Sequence, residues 1–188
     1  MEIPEPEERV TKSTPATADL DQLVGKMEGE TAAPDNENLD AIVQKIARAF
    51  GVKDDEVAIL SVDEKRSLLR FIVPEKLKIV GTIPLTSTNA LAAKTAREKR
   101  AETQNNFGNA RHASVFEGVP LGRSPGETIQ KIMSAPILAD NKSIGVIQIS
   151  KKGRSVDECG ADFRSDDLRK LQAVAASLVK LIRATQKS

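Results

Sequence analysis

The 188-residue chain contains no Trp, no Tyr, one Cys and one His. Without Trp or Tyr, a buried core has to be aliphatic, built from Leu, Ile, Val and Ala with five Phe. A single Cys159 excludes an internal disulfide and any site that needs several cysteines on one metal. A single His112 excludes histidine clusters and leaves a lone imidazole with no orienting partner in sequence. No run approaches the ~20 apolar residues of a membrane-spanning helix, and the acidic start, Met1–Glu8, lacks the apolar stretch of a signal peptide. A cytoplasmic protein with no membrane partner is the expectation. Phosphate-cradling Gly-rich loops, dinucleotide fingerprints, nucleophile elbows and His-Glu-x-x-His zinc motifs are also missing. The chain is therefore expected not to be an enzyme.

What is present is unevenly charged. Residues 1–36 hold nine acids against three bases, a net of −6, while residues 37–188 hold 25 bases against 18 acids, a net of +7. The first segment has few large apolar residues and is expected to be a mostly disordered acidic tail. Within it, Leu20, Leu23, Val24 and Met27 recur at helical spacing, so a short helix over 19–27 is expected, able to dock on the body or on a partner. The basic side chains of the body are scattered and many adjoin acids, as on a solvated face. Lys94, Arg97, Lys99 and Arg100 form a basic helix end without interleaved aromatics, so no nucleic-acid partner is expected.

The body, residues 37–188, reads as one domain. Asn36 or Asn38 can cap a helix whose stripe is Leu39, Ile42, Val43, Ile46, Ala47 and Phe50, stopped by Gly51. Glu56–Val62 and Ser67–Val73 read as a hairpin around a four-residue polar turn. Gly81–Leu85 is a short extended piece. Ser87 or Thr88 is expected to cap an Ala-rich helix running to about Lys99. Ala101–Asn106 reads as a short strand, and 109–126 as a loop with one helical turn. Thr128–Leu138 is a strand in which Pro136 implies an edge or a bulge. Ile144–Ser150 alternates Ile144, Val146 and Gln148 with Gly145, Ile147 and Ile149, which predicts a central strand covered on both faces. Ser165 is the expected cap of a last helix with Leu168, Leu171, Val174, Ala175, Leu178, Leu181 and Ile182 on one stripe. The order of elements gives an α+β fold with helices against an antiparallel sheet.

Four stretches in this order carry a family resemblance: Ile83–Leu85 before the Ala-rich helix, Ile129–Ile137, Ile144–Ile149 and Asp162–Leu168. Over about residues 38–184 the chain resembles a GAF domain. The resemblance implies a central antiparallel sheet of five or six strands. The N- and C-terminal helices would lie on one face, with a capping loop and helix region on the other. It implies a small-molecule-sensing regulatory module that binds a ligand between the sheet and a capping segment, 104–126. It would signal through dimerised terminal helices to a protein partner acting in trans. The alternative is a ligand-free dimerisation or interaction scaffold of the same fold. Asn105, Asn106, Arg111, His112, Phe116, Lys131 and Met133 are the expected ligand contacts. Leu171, Leu178, Leu181 and Ile182 are the expected homodimer interface.

Cyclic-nucleotide-binding members carry Asn-Lys, then Phe, then Asp-Glu. This chain has Ser150-Lys151, Phe163 and Asp167-Leu168, which implies a structural Lys151–Asp167 ion pair and disfavours a cyclic nucleotide. Bilin-binding members attach the pigment through a Cys near a His. Here His112 and Cys159 are far apart in sequence, so no covalent bilin is expected, and haem is disfavoured too. The ligand itself is left unnamed. Cys159 is expected to be a neutral surface thiol.

Overall fold

The computed structural model describes residues 36–79, 81–109 and 126–186. Of the expected tail over 1–36, residues 1–35 with the short helix over 19–27 lie outside the described residues, as do Arg111, His112 and Phe116, while Asn36 already belongs to the first helix. The described chain runs α1 (Asn36–Phe50), β1 (Val57–Asp63), β2 (Leu68–Val73), β3 (Thr82–Pro84), α2 (Leu91–Glu98), β4 (Glu102–Gln104), β5 (Thr128–Ala139), β6 (Lys142–Gly153), α3 (Ser165–Ser177) and α4 (Val179–Gln186). The six strands form one antiparallel sheet in the order β3-β2-β1-β6-β5-β4.

The local chemistry explains the turns. Asp140 and Asn141 both take positive φ, 50° and 60°. That is the two-residue hairpin connection that matches strand twist, and Asn and Asp tolerate it best among non-Gly residues. Gly51, at φ 64°, ends α1. Pro136 lies beyond the reach of β4, whose pairing with β5 stops at Ser134, so no strand flanks it on that side. A register shift also falls between Ile137 and Leu138. Of the two alternatives expected at Pro136, the edge is the one present among the described residues, and the bulge falls after Ile137.

The pleat divides the core in two. On one face Ile147, Ile149, Met133, Ala135 and Ile137 meet α1, α3 and α4 through Ile42, Ile46, Leu171, Val174, Leu178 and Ile182. On the other face Val146, Leu60, Leu69 and Phe71 meet Ala92, Ala93 and Ala96 of α2. As predicted, β6 is central and covered on both sides.

Three helix boundaries differ from the sequence reading. The Ala-rich helix starts at Leu91 and not after Ser87, because Ser87 Oγ accepts the Ala90 N–H at 3.2 Å and closes a turn outside the helix. Arg164 and not Ser165 occupies the cap position of α3. Its N–H is taken by the Asp167 carboxylate at 2.8 Å, half of a capping box. The last helix is two helices: at Leu178 the N–H turns to the Ala175 carbonyl, three residues back.

Leu171, Leu178, Leu181 and Ile182 are each at most 1% exposed. The expected dimer stripe is thus the inner face of α3 and α4, and the sheet itself covers it. The break at Leu178 is what keeps Leu181 and Ile182 on the sheet after the first helix has run its course.

Candidate functional site

The sheet face opposite the terminal helices is the candidate ligand face. Period-2 alternation in β6 sends Val146, Gln148 and Ser150 there. Ser134 of β5 lies beside Gln148 in the ladder, and both are nearly fully buried. Above them, Thr95 of α2 points its hydroxyl down, 2.9 Å from the Leu91 carbonyl and 2.7 Å from Ser134 Oγ. Gln148 Nε2 donates to Ser134 Oγ at 3.2 Å.

Gln148 Oε1 has no partner, and it is the only such buried side-chain atom among the described residues. A buried carbonyl without a donor costs about 1–3 kcal/mol. Rotating the amide by 180° exchanges its ends and leaves the NH2 unfilled instead. Either way this side chain offers one hydrogen-bonding group to something outside the described chain.

A cavity of about 20 Å³ adjoins it, lined by Ala58, Leu77, Ile129, Ile132, Gln148 and Ser150 among others. That is room for about one water molecule. Asp55, Glu56 and Lys152 also line it and form a hydrogen-bonded network. Glu56 accepts the N–H groups of Lys53 at 2.8 Å and Lys152 at 2.7 Å. Lys152 Nζ in turn donates to Asp55 Oδ2 at 3.0 Å and to the Asp55 carbonyl. No group of three or more metal-ligating side chains occurs among the described residues.

Beside the cavity, Leu91, Phe107, Ile129 and Ile132 form a small apolar cluster under the start of the capping segment. Gly108 is needed there for space. A Cβ on it would stand 2.2 Å from Gln130 Oε1, while Gln130 Nε2 is fixed on the Gly153 carbonyl at 3.0 Å.

The expected ligand contacts that fall within the described residues are not gathered on this face. Lys131 and Met133 lie on the opposite one. Met133 is fully buried in the helix-side core. Lys131 Nζ reaches the Gly160 carbonyl at 2.6 Å and Asp162 Oδ1 at 2.7 Å. The reason is a bulge between Ile129 and Lys131, which breaks the alternation counted from Ile129. Asn105 is held away from the cavity: its amide brackets the backbone of Phe163. Asn106 is exposed. Gln148, Ser134 and Thr95 are the residues missed, and the signal for Gln148 was a lone amide in the apolar run Ile144–Ile149.

The expected Lys151–Asp167 pair is also absent. Lys151 Nζ donates to the Ala161 carbonyl at 2.7 Å and stands 4.6 Å from the centroid of the Phe163 ring. Asp167 is occupied by the Arg164 N–H. Lys131 and Lys151, partners in the β5–β6 ladder, therefore both grip the loop that leads into α3.

Among the described residues, the six-stranded sheet carries the terminal helices on one face and the short α2 on the other. The sequence model of the GAF domain family matches residues 36–182. The chain belongs to the GAF domain family.

No curated protein sequence matches it. Among solved structures, the GAF domain of an Acinetobacter phosphoenolpyruvate-protein phosphotransferase is similar at TM-score 0.64 and 16% identity, over 93% of this chain and 97% of that one. The GAF domain of the corresponding Coxiella burnetii protein is similar at TM-score 0.61 and 12% identity, over 91% and 96%. The free methionine-R-sulfoxide reductase of Neisseria meningitidis, in complex with its substrate, is similar at TM-score 0.60 and 18% identity, over 94% and 95%. At these identities the likeness is one of fold. GAF folds thus include both regulatory domains and reductases. Among the described residues of this GAF domain, no helix is long and apolar enough to cross a membrane.

Proposed function

We propose that this GAF domain is a regulatory module that senses a small molecule on the sheet face opposite its terminal helices. The observation that carries the reading is Gln148 Oε1, a buried acceptor left unfilled beside a cavity. A ligand presenting an N–H or O–H would satisfy it. Because the cavity holds only about one water, entry requires its walls to yield, and the cluster of Leu91, Phe107, Ile129 and Ile132 beside it is the proposed place. That movement reaches α3 through Asn105 and the loop at Phe163 and passes to a partner protein acting in trans.

A homodimer is part of the proposal, and its helix contacts come from outer-face residues such as Gln172 and Ala176, since the leucine stripe is buried. The proposed setting is the cytoplasm. A non-enzymatic role accords with Cys159: burial pushes its thiol above the usual range, and Sγ donates to the Ser155 carbonyl at 3.3 Å.

The water-sized cavity also favours a second reading, a ligand-free interaction scaffold. Native mass spectrometry of freshly purified protein separates the two. A co-purifying small molecule that Gln148→Leu releases supports the sensor. Protein that stays ligand-free across a nucleotide and metabolite panel overturns it in favour of the scaffold.

A further inference from the structure

A second depression, about 290 Å³, lies on the helix side at the end of β2. Leu39 and Val43 of α1 form one wall, and Ile72, Val73 and Pro74 form the floor. It shares only Asp55 and Pro74 with the Gln148 cavity. Its charged lining is mixed in sign, Asp40, Asp54, Asp55 and Glu75 with Lys76 and Lys78, and Lys78 pairs with Glu75 at 3.7 Å. Beyond Lys78, Ile79 is 90% exposed, an isoleucine left in solvent at the edge of an apolar groove.

We propose that residues 19–27 of the same chain dock in this groove. The chain enters α1 at Asn36, and the wall of the groove begins three residues later, at Leu39. Whatever precedes α1 therefore arrives beside it. Residues 28–35 span at most ~28 Å when extended, enough to double back over the first turns of α1. Within 1–35 the one set of large aliphatics at single-face spacing is Leu20, Leu23, Val24 and Met27. An amphipathic segment laying such a face into an apolar groove is a common recognition mode.

The attraction is one of overall charge: residues 1–36 carry −6 and the body +7. At the groove, Lys26 would face its acids, and Asp19 and Asp21 its two lysines. Tethering places the segment at an effective concentration of about millimolar, so a weak contact suffices.

Hydrogen–deuterium exchange on the full chain tests this. Leu23→Glu with Val24→Glu changes no residue of the described core, and circular dichroism checks that the body stays folded. The expected result is loss of amide protection in peptides covering 39–43 and 72–78, and in 19–27 itself. Lys76→Glu with Lys78→Glu, exposed rim positions, should reciprocally deprotect 19–27. Unchanged groove exchange in the first variant, or unchanged 19–27 exchange in the second, overturns the docking. Protection that fades on dilution overturns it as well, because the segment would then come from a second copy.

Discussion

Asn105 and Phe163 are joined by two hydrogen bonds of 3.0 Å each: Asn105 Nδ2 donates to the Phe163 carbonyl, and the Phe163 N–H donates to Asn105 Oδ1. The amide side chain thus acts as a one-residue piece of strand across 58 positions of sequence. It ties the start of the capping segment to Phe163, two residues before α3. Asn105→Ala removes both bonds and leaves a half-buried backbone pair unfilled. The expected cost is about 1–3 kcal/mol in urea unfolding. A loss below about 0.5 kcal/mol would place the variant among ordinary surface substitutions and remove the tie from the account.

Leu181 is a core residue. Leu181→Ala should lower stability by about 2–5 kcal/mol, the range for truncating a buried leucine. Sedimentation should show the same association state as the parent under native conditions. Ala176→Glu, at an exposed position of α3, should do the reverse if the outer face joins two copies: little change in stability, with a shift in mass.

Gln148→Leu removes the unfilled amide and the need to satisfy it. The substitution should leave the ligand-free protein as stable as the parent or raise its stability by about 1 kcal/mol, because an unpaired buried polar group disappears. A loss of more than about 2 kcal/mol in thermal unfolding would mean that Gln148 is satisfied in the free protein by more than its bond to Ser134.

Glu102 supplies a pH dependence with a defined sign. Partial burial pushes its carboxyl up, but hydrogen bonds from Lys94, at 2.6 Å, and Gln104 outweigh this and hold it below the usual range. A carboxyl lowered in the folded state stabilises above its unfolded pKa, and that contribution is lost as pH falls through the folded value. Both side chains are partly exposed, so the effect is modest, up to about 1 kcal/mol. Glu102→Gln should therefore be less stable than the parent at neutral pH, with the gap closing under acid. Urea midpoints at pH 7 and below about pH 3 check this; a gap that persists in acid would assign the loss to packing.

The two-faced sheet was legible because the determinants are local. Ile147 and Ile149 against Val146 and Gln148 is a pattern that the pleat alone reads, and the stripe of α1 is equally direct. What misled was geometry with no residue-type signature. The bulge after Ile129 reverses the faces of Lys131 and Met133, and bulges of this kind need no Gly. The break at Leu178 involves neither Gly nor Pro, so an unbroken stripe of leucines read as one helix with apolar surface to spare. The ends of Lys151 and Asp167 were each taken by nearby backbone groups, which pairwise charge counting does not weigh.

The strand order has a last consequence. Among the described residues the sheet is bounded by β3 and β4, each three residues long, and β3 ends in Pro84. Short or proline-marked borders offer few free N–H and C=O groups in a row to an incoming chain. The long strand β6 is held inside, between β1 and β5, while β5 meets β4 only over Ile132–Ser134 and carries Pro136 in its open part. The described border is thus short at β3 and β4 and broken by a proline at β3 and at β5, which disfavours edge-to-edge pairing between copies and leaves association to side chains.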